Sequence, residues 1–251
     1  MRILYLDIET APHTALIWSL WTKYIDPDHI EIPGYTLCFA ARWEDEKKIQ
    51  FYSVWNDGVE QMVQKAHDLL DESDAVVHYN GKKFDIKMLQ TEWALLKMPP
   101  PSPYKQIDLY HTVRSQFRLP SNKLDYVCKR FGLGKKIRHR GMDLWVGCMQ
   151  EDEKSCKEME RYNKQDVRLL PRLYKYILPY IHNHPNWGLH GDMDRPVCKN
   201  CGSDRLQRRG FSITGTQRYR RYQCQKCGTW NRGRYTNLGE EARQNILTGD
   251  K

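Results

Sequence analysis

Two carboxylates, Asp7 and Glu9, close the run Ile3-Leu4-Tyr5-Leu6-Asp7-Ile8-Glu9-Thr10. The residues before them are apolar or β-forming, so the run reads as a strand buried early in the fold. Residues two apart on a strand point to the same face. Like charges side by side at the end of a buried strand are costly unless a cation lies between them, and hard oxygen ligands of this kind suit Mg²⁺ or Mn²⁺. A solvated strand end is the competing reading. A third acid, Asp85, falls in the first turn of a helix expected after His78-Tyr79-Asn80-Gly81. The helix dipole favours a carboxylate there and aims it at the sheet edge, although ordinary helix-start stabilisation accounts for it equally well. A fourth, Asp166, lies four residues after Tyr162 in a long expected helix, and the two share a face with the apolar Met159, Leu169 and Leu173. An acid on a core-facing stripe needs a partner, which a metal held by Asp7 and Glu9 would supply. The alternative is a Tyr–Asp hydrogen-bonded pair at the helix surface.

A second set of metal-ligand residues stands near the C-terminus. Cys198-x-x-Cys201 and Cys224-x-x-Cys227 are separated by 22 residues. Each pair makes a knuckle supplying two thiolates, and two knuckles give a tetrahedral Zn²⁺ site with no open position, hence a structural one. The insert reads as a hairpin, with strands over residues 205–213 and 217–224 and Thr214-Gly215-Thr216 at the turn. A redox dithiol is the alternative. Cys38, Cys128, Cys148 and Cys156 are scattered through the main body. That arrangement points to metal binding in a reducing, cytoplasmic compartment rather than to a secreted disulfide scaffold.

The net charge of +9 is unevenly spread. Residues 1–185 hold 27 Lys and Arg against 25 Asp and Glu, whereas residues 186–251 hold 13 against 6. Between residues 195 and 235 the only acid is Asp204. A local basic excess calls for a polyanionic partner. Arg208, Arg209, Arg218, Arg220, Arg221, Arg232 and Arg234 are interleaved with Phe211, Tyr219, Tyr222 and Trp230, a mixture that suits phosphate contact with base stacking. A basic surface over a small aromatic core is the bland reading. Lys135, Lys136, Arg138 and Arg140 form a further basic run, either a phosphate grip or a solvated loop. No apolar run has the length of a membrane span and no secretory leader is evident, so no membrane partner is expected.

The elements that must position these groups alternate in type. After the first strand come strands at 36–41 and 49–54 around a charged hairpin at 43–48. Residues 17–33, with Trp18, Trp21 and Tyr24, read as a loop packed over the site. A helix is expected at 58–70, a strand at 75–79, a helix at 82–97 stopped by prolines, a strand at 106–110 and a short helix at 121–130. A long helix covers 152–181, with a kink or break at Pro171. The pattern implies an α/β layered domain over residues 1–181. A linker at 182–194, a Cys₄ module at 195–235 and a polar, fraying tail at 236–251 follow.

In order, the chain presents Asp-x-Glu on the first strand, Asn-x-x-x-Phe-Asp at a strand-to-helix turn, and Tyr-x-x-x-Asp on a late helix. This order resembles the DEDDy subgroup of the DnaQ-like 3′–5′ exonucleases, which have an RNase H-like fold, and most closely the proofreading domain of family B DNA polymerases. Ile107-Asp108-Leu109, Leu124-Asp125-Tyr126-Val127, Phe131-Gly132-Leu133 and Lys135-Lys136 are also similar to that family. The resemblance covers residues 1–181 and implies an RNase H-like mixed sheet flanked by helices, with a small zinc-ribbon β module after it. It implies that Asp7, Glu9, Asp85 and Asp166 bind two Mg²⁺ or Mn²⁺ ions, and that Tyr162 orients the attacking water. A tyrosine of ordinary pKa is a poor general base, which fits positioning. Thr10, Asn80, Phe84, Lys135 and Lys136 are the substrate-binding candidates of this domain, and Arg208, Arg209, Arg220 and Arg221 those of the ribbon. Phe84 reads equally well as core.

The function implied is a metal-dependent 3′–5′ exonuclease, DNA being preferred over RNA on the strength of the resemblance, with a polymerase or repair protein as partner. An RNA exonuclease of the same fold, a structure-selective endonuclease and a non-catalytic nucleic-acid recruitment module are the rivals.

Overall fold

The computed structural model describes residues 1–191 and 194–249. Asp192 and Met193 of the expected linker, and Asp250 and Lys251 of the expected tail, lie outside the described residues. Arg2–Tyr174 form one compact unit, and Lys175–Lys251 belong, with Met1, to a second. Among the described residues no helix is long and apolar enough to cross a membrane.

The first unit begins with β1 (Ile3–Thr10), followed by β2 (Thr14–Ala15), β3 (Ile30–Ile32), β4 (Thr36–Trp43) and β5 (Gln50–Ser53). Two helices follow, α1 (Val54–Asp57) and α2 (Val59–Asp71), then β6 (Ala75–His78), α3 (Asp85–Leu95) and β7 (Lys105–Asp108). The remaining helices are α4 (Leu109–Gln116), α5 (Leu124–Arg130), α6 (Met142–Met149) and α7 (Glu153–Ile177). Five strands make a mixed sheet in the order β5-β4-β1-β6-β7. β1 is antiparallel to β4 and parallel to β6, and β6 is parallel to β7. This is the RNase H-like mixed sheet that the resemblance implies.

The central place of β1 explains its composition. A strand paired on both sides and covered on both faces must be apolar along most of its length. Leu4, Leu6 and Ile8 join a core with Phe39, Trp43, Met62, Leu70, Leu89 and Trp93. The alternate residues face the other way: Tyr5 meets Tyr174 of α7 edge-on, with ring centroids 5.9 Å apart. Asp7 and Glu9 continue that second row, so strand periodicity alone delivers them to the α7 side. The pairing of β1 with β4 shifts register between Glu9 and Thr10. Such bulges re-aim side chains at strand ends.

Several expectations need correction. Pro171 does not interrupt α7, which stays helical to Ile177 before a 3₁₀ turn at Leu178–Tyr180. Its missing N–H costs one bond. Leu169, Leu170 and Leu173 around it are fully buried, and that packing outweighs the loss. The strand expected at 106–110 ends at Asp108, whose side chain accepts from Tyr110 N and so starts α4. Helix α6 was not anticipated. Residues 17–33 are not packed down: β2 and β3 pair as a two-stranded ribbon, and Trp18 and Trp21 are 97% and 92% exposed. With only two strands the ribbon has no sheet to lie on, and it stands out as an arm.

The second unit holds three antiparallel strands, β8 (Leu206–Ile213), β9 (Arg218–Cys224) and β10 (Trp230–Thr236), with β9 in the middle. The hairpin forms as expected, while β10 adds a third strand. The tail does not simply fray, because α8 (Glu240–Gln244) forms within it.

The turn from β6 into α3 is packed tightly against His78. A Cβ at Gly81 would lie 2.6 Å from His78 Cγ. Overpacking of this kind costs about 1–3 kcal/mol. Gly81→Ala is therefore expected to lower the thermal unfolding midpoint and to disturb the turn that carries Asp85. Unfolding at the wild-type temperature would show that the turn has slack.

Candidate active site and metal centres

Three parallel strands, β1, β6 and β7, end at one edge of the sheet, and the acids gather there. In α/β sheets this carboxyl edge is where ligands bind. Asp7 and Glu9 leave the end of β1, and Asp166 descends from α7. Carboxylate oxygens of these three lie within 4.8 Å of one another. Asp85 opens α3 and is buried, and its Oδ1 accepts from Ile8 N at 3.2 Å. It therefore sits against the main chain between Asp7 and Glu9, beside the three clustered acids rather than among them.

A lysine stands where a cation is needed. Lys136 Nζ is bonded to the Asp166 carboxylate and lies 3.2 Å from Tyr162 Oη. Its backbone N–H donates to Asp125 Oδ1 at 2.8 Å, which fixes the loop that delivers it. The sequence marks Lys136 as one member of a basic run and, through the resemblance, as a substrate-binding candidate; nothing in its spacing points into the acids. Asn163 also goes unmarked: its Nδ2 donates to Asp7 Oδ2 at 2.8 Å and to Asp7 O at 3.2 Å. Its position beside Tyr162, on the buried side of an amphipathic helix, is the one sequence signal that could have found it.

Tyr162 is held by rings. His139 and Trp145 meet it edge-on, with centroids 5.0 and 6.1 Å away. Burial, then the charge of Asp166, pushes its phenol up to about 12. It keeps its proton at neutral pH, which fits a positioning group and not a base.

Burial dominates the acids as well. With Asp166 next in effect, it lifts Glu9 from its ordinary 4.5 to about 8. It lifts Asp85 to about 6. Asp7 is raised well above the usual carboxylate range, by burial first and then by Asp166, Asp85 and Glu9. Asp166 is raised by burial against the pull of Lys136. Burial opposes the charge on Lys136, yet Asp166, Asp7 and Tyr162 together outweigh it and hold the ammonium above its ordinary range. The donor set also fits a divalent ion: Asp166 is 1% exposed, and its Oδ1 is buried without a hydrogen-bond partner. Such an oxygen is expensive to leave alone.

The remaining candidates are placed as follows. Asn80 adopts φ +66°, and its N–H donates to Asp108 Oδ1 at 2.9 Å. Asp108 thus holds the turn before α3 as well as the start of α4, a supporting place outside the acid cluster. Phe84 is 47% exposed, so the core reading fails: as the residue before α3 it faces solvent. Thr10 is half-buried beyond the bulge. A cavity of about 970 Å³ is lined by Lys129, Lys135, Lys136, Arg138 and Tyr162. A second, of about 540 Å³, is lined by Asp7, Tyr79, Asn80, Tyr110 and Lys136. The two meet at Lys136 and Asp125. Arg140 leaves the phosphate-grip group, because it is bonded to Glu158 at 3.0 Å and to Ser155 at 2.8 Å.

In the second unit Cys198, Cys201, Cys224 and Cys227 place their sulfurs within 4.8 Å of one another. The Cys198–Cys227 and Cys201–Cys224 sulfurs are each 3.6 Å apart. A tetrahedral ion with Zn–S bonds of about 2.3 Å sets its sulfurs roughly 3.8 Å apart, so the donor set fits zinc. The knuckles repeat one geometry: Gly202 N bonds Cys198 O and Gly228 N bonds Cys224 O, with φ +68° and +80°. A hydrogen bond from Cys201 does most to pull the Cys198 thiol down to about 4. The four ribbon arginines named from sequence do not share a face. Arg208 is paired with Tyr222, and Arg220 with Phe211, on one side, and Arg221 lies on the other. Arg209 falls in the register shift between Arg208 and Phe211.

Residues 4–178 match the sequence profile of the RNase H superfamily. No curated protein sequence matches the chain. Among solved structures, the family B DNA polymerase from the hyperthermophilic archaeon Pyrobaculum calidifontis is similar in fold, with a TM-score of 0.55 and 20% identity. The match covers 71% of this chain and 24% of the polymerase chain. The chain thus spans about a quarter of that protein's length.

Two outcomes follow from the electrostatics. Without divalent ions, the folded chain retains protons at Glu9 that the unfolded chain releases above 4.5, so stability falls as pH rises from there towards about 8. Metal binding requires deprotonated ligands, so the rise in melting temperature on adding Mn²⁺ is expected to be larger near the top of that window than near its bottom. Melts with and without Mn²⁺ across pH test this, and a shift independent of pH would count against it. Cys224→Ser is expected to lose bound zinc, read by metal analysis, while the Mn²⁺-dependent shift persists.

Proposed function

The chain belongs to the RNase H superfamily, and we propose that it is a divalent-metal-dependent 3′–5′ exonuclease acting on single-stranded or frayed 3′ ends of DNA. The observation that best supports this reading is the convergence of Asp7, Glu9 and Asp166, with Asp85 beside them and Tyr162 above. Asp7, Glu9, Asp85 and Asp166 would hold two Mg²⁺ or Mn²⁺ ions. When bound, such ions activate water on one side of a phosphodiester and stabilise the leaving 3′ oxygen on the other.

The side chains do the positioning. Asn163 fixes Asp7 by donating to its carboxylate and to its backbone carbonyl. Tyr162, clamped by His139 and Trp145, orients the attacking water through its neutral hydroxyl. Lys136 releases Asp166 when divalent charge arrives, and its ammonium then faces the substrate phosphate. Asn80, Phe84 and Thr10 flank the terminal nucleotide, while Lys135 extends the phosphate path along the larger cavity. The ribbon would hold one structural Zn²⁺ and adds affinity for the strand through the arginines of one face. DNA is preferred because the resemblance is to polymerase proofreading domains, and the natural partner on this reading is a polymerase or repair protein.

End-labelled oligomers test the proposal directly. A 5′-labelled single-stranded DNA with Mg²⁺ or Mn²⁺ is expected to give a ladder shortening from the 3′ end. Asp7→Ala is expected to lower cleavage by at least about a thousandfold while the oligomer stays bound, since metal-held catalysis is lost but the basic contacts remain. Cutting of a circular single strand would favour an endonuclease. Faster digestion of the matched RNA would move the substrate to RNA, and binding without any cutting would leave a recruitment module.

A further inference from the structure

One face of the ribbon sheet carries a row of four side chains that the sequence does not reveal as a group. Residues directly paired across antiparallel strands share a face. Arg221 is paired with Arg232, Gln223 with Trp230, and Tyr219 with Thr236. Arg221, Arg232, Trp230 and Tyr219 therefore point the same way. The contacts are diagonal: the Arg221 guanidinium lies 5.0 Å from the Trp230 ring centre, and that of Arg232 lies 4.3 Å from the Tyr219 ring centre. The row reads Trp230–Arg221–Arg232–Tyr219, with the two cations opposite each other in the middle.

Two like charges directly opposite on a sheet are destabilising. Among the described residues no acid is bonded to either: Asp204 is the only carboxylate between residues 195 and 235, and it is paired with Arg195 at 3.1 Å. Arg221 Nε donates to Arg209 O at 3.0 Å, which fixes the side chain and leaves its terminal N–H fork for a ligand. Trp230 is half exposed beside it. A site that needs an anion between two guanidinium groups, and offers a flat ring at each end, matches a polyanion bearing planar groups at intervals.

We propose that this face is a stacking platform for single-stranded nucleic acid, with phosphate held between Arg221 and Arg232 and bases laid on Trp230 and Tyr219. The inference rests on the nucleic-acid reading of the ribbon above and commits it to one face and one strand form. The opposite face is built differently: Arg218 and Arg220 share the single ring of Phe211, at 4.6 and 4.9 Å, whereas on the first face each ring has one guanidinium beside it and Trp230 is half exposed. A duplex hides its bases, so it gains only the phosphate contact here.

The test is fluorescence anisotropy of a labelled oligothymidine on the full, zinc-loaded chain. An Asp7→Ala background prevents digestion, and zinc content is measured for each variant. Arg221→Ala with Arg232→Ala is expected to weaken binding at least about tenfold and to flatten the slope of log affinity against log salt by about 0.7, the loss of the one phosphate held between them on a single strand. Trp230→Ala is expected to weaken it by roughly five- to a hundredfold, one lost base stack. Arg218→Ala with Arg220→Ala, on the far face, should retain most of the affinity. Equal losses from both arginine pairs, or a duplex of the same length binding as tightly, would overturn the platform. Cleavage by the unmutated chain is scored separately: platform variants binding like wild type while that chain still cuts would sink this inference alone, and binding without cutting would sink the nuclease reading alone.

Discussion

Repulsion among carboxylates taken out of water is the constraint on which the first unit depends. β1 must be apolar to sit at the middle of a sheet, yet its last turns of alternation bring Asp7 and Glu9 under α7, where Asp166 is already waiting. None of these groups is comfortable ionised in that setting, and burial is the leading reason for each. Positive charge has to enter. In this structure the chain provides it from Lys136, on a loop held by Asp125. An ammonium placed this way offsets the repulsion among the acids from beside Asp166.

The second unit inverts the same logic. Its thiols gather around a point that fits a metal ion, and Arg221 and Arg232 face one another with no carboxylate bonded to either among the described residues. A three-stranded sheet of this size buries little apolar surface, so an ion held by the four cysteines would take over the role of a core. The basic surplus is then free to serve contact rather than stability. Both units thus present incomplete charge: negative at the sheet edge of one, positive on a face of the other.

Much of this was legible in the residues. The strand period of two carried Asp7 and Glu9 to one face, the helix period carried Tyr162 and Asp166 to another, and the paired Cys-x-x-Cys spacing marked the four-cysteine cluster. The layered α/β domain followed from the alternation of elements, and the mixed sheet from the family resemblance. What stayed hidden depended on distance in space. Lys136 reads as a phosphate grip or a solvated loop residue, because nothing local distinguishes a lysine that reaches inward to an acid from one that does not. Asp108 falls inside the strand expected at 106–110, whereas it ends β7, and its carboxylate caps α4 and also accepts from Asn80 N in a left-handed turn. Pro171 was read by its local rule, and the packing around it overrode that rule. The split of arginines between two ribbon faces required the register shift between Arg208 and Phe211, which sequence alternation cannot foresee.

The arm formed by β2 and β3 has a practical meaning. It places Lys23 and several bulky side chains in open solvent, between the strand that bears Asp7 and the strand that bears Cys38. A protease reaching that tip would divide the chain into a short N-terminal peptide and a long remainder. The peptide would not drift away, because β1 is hydrogen-bonded along both edges, to β4 and to β6, and its apolar row is locked in the core. The nicked molecule would migrate as two pieces only after denaturation, and the peptide and remainder, made separately, have the surfaces needed to reassemble.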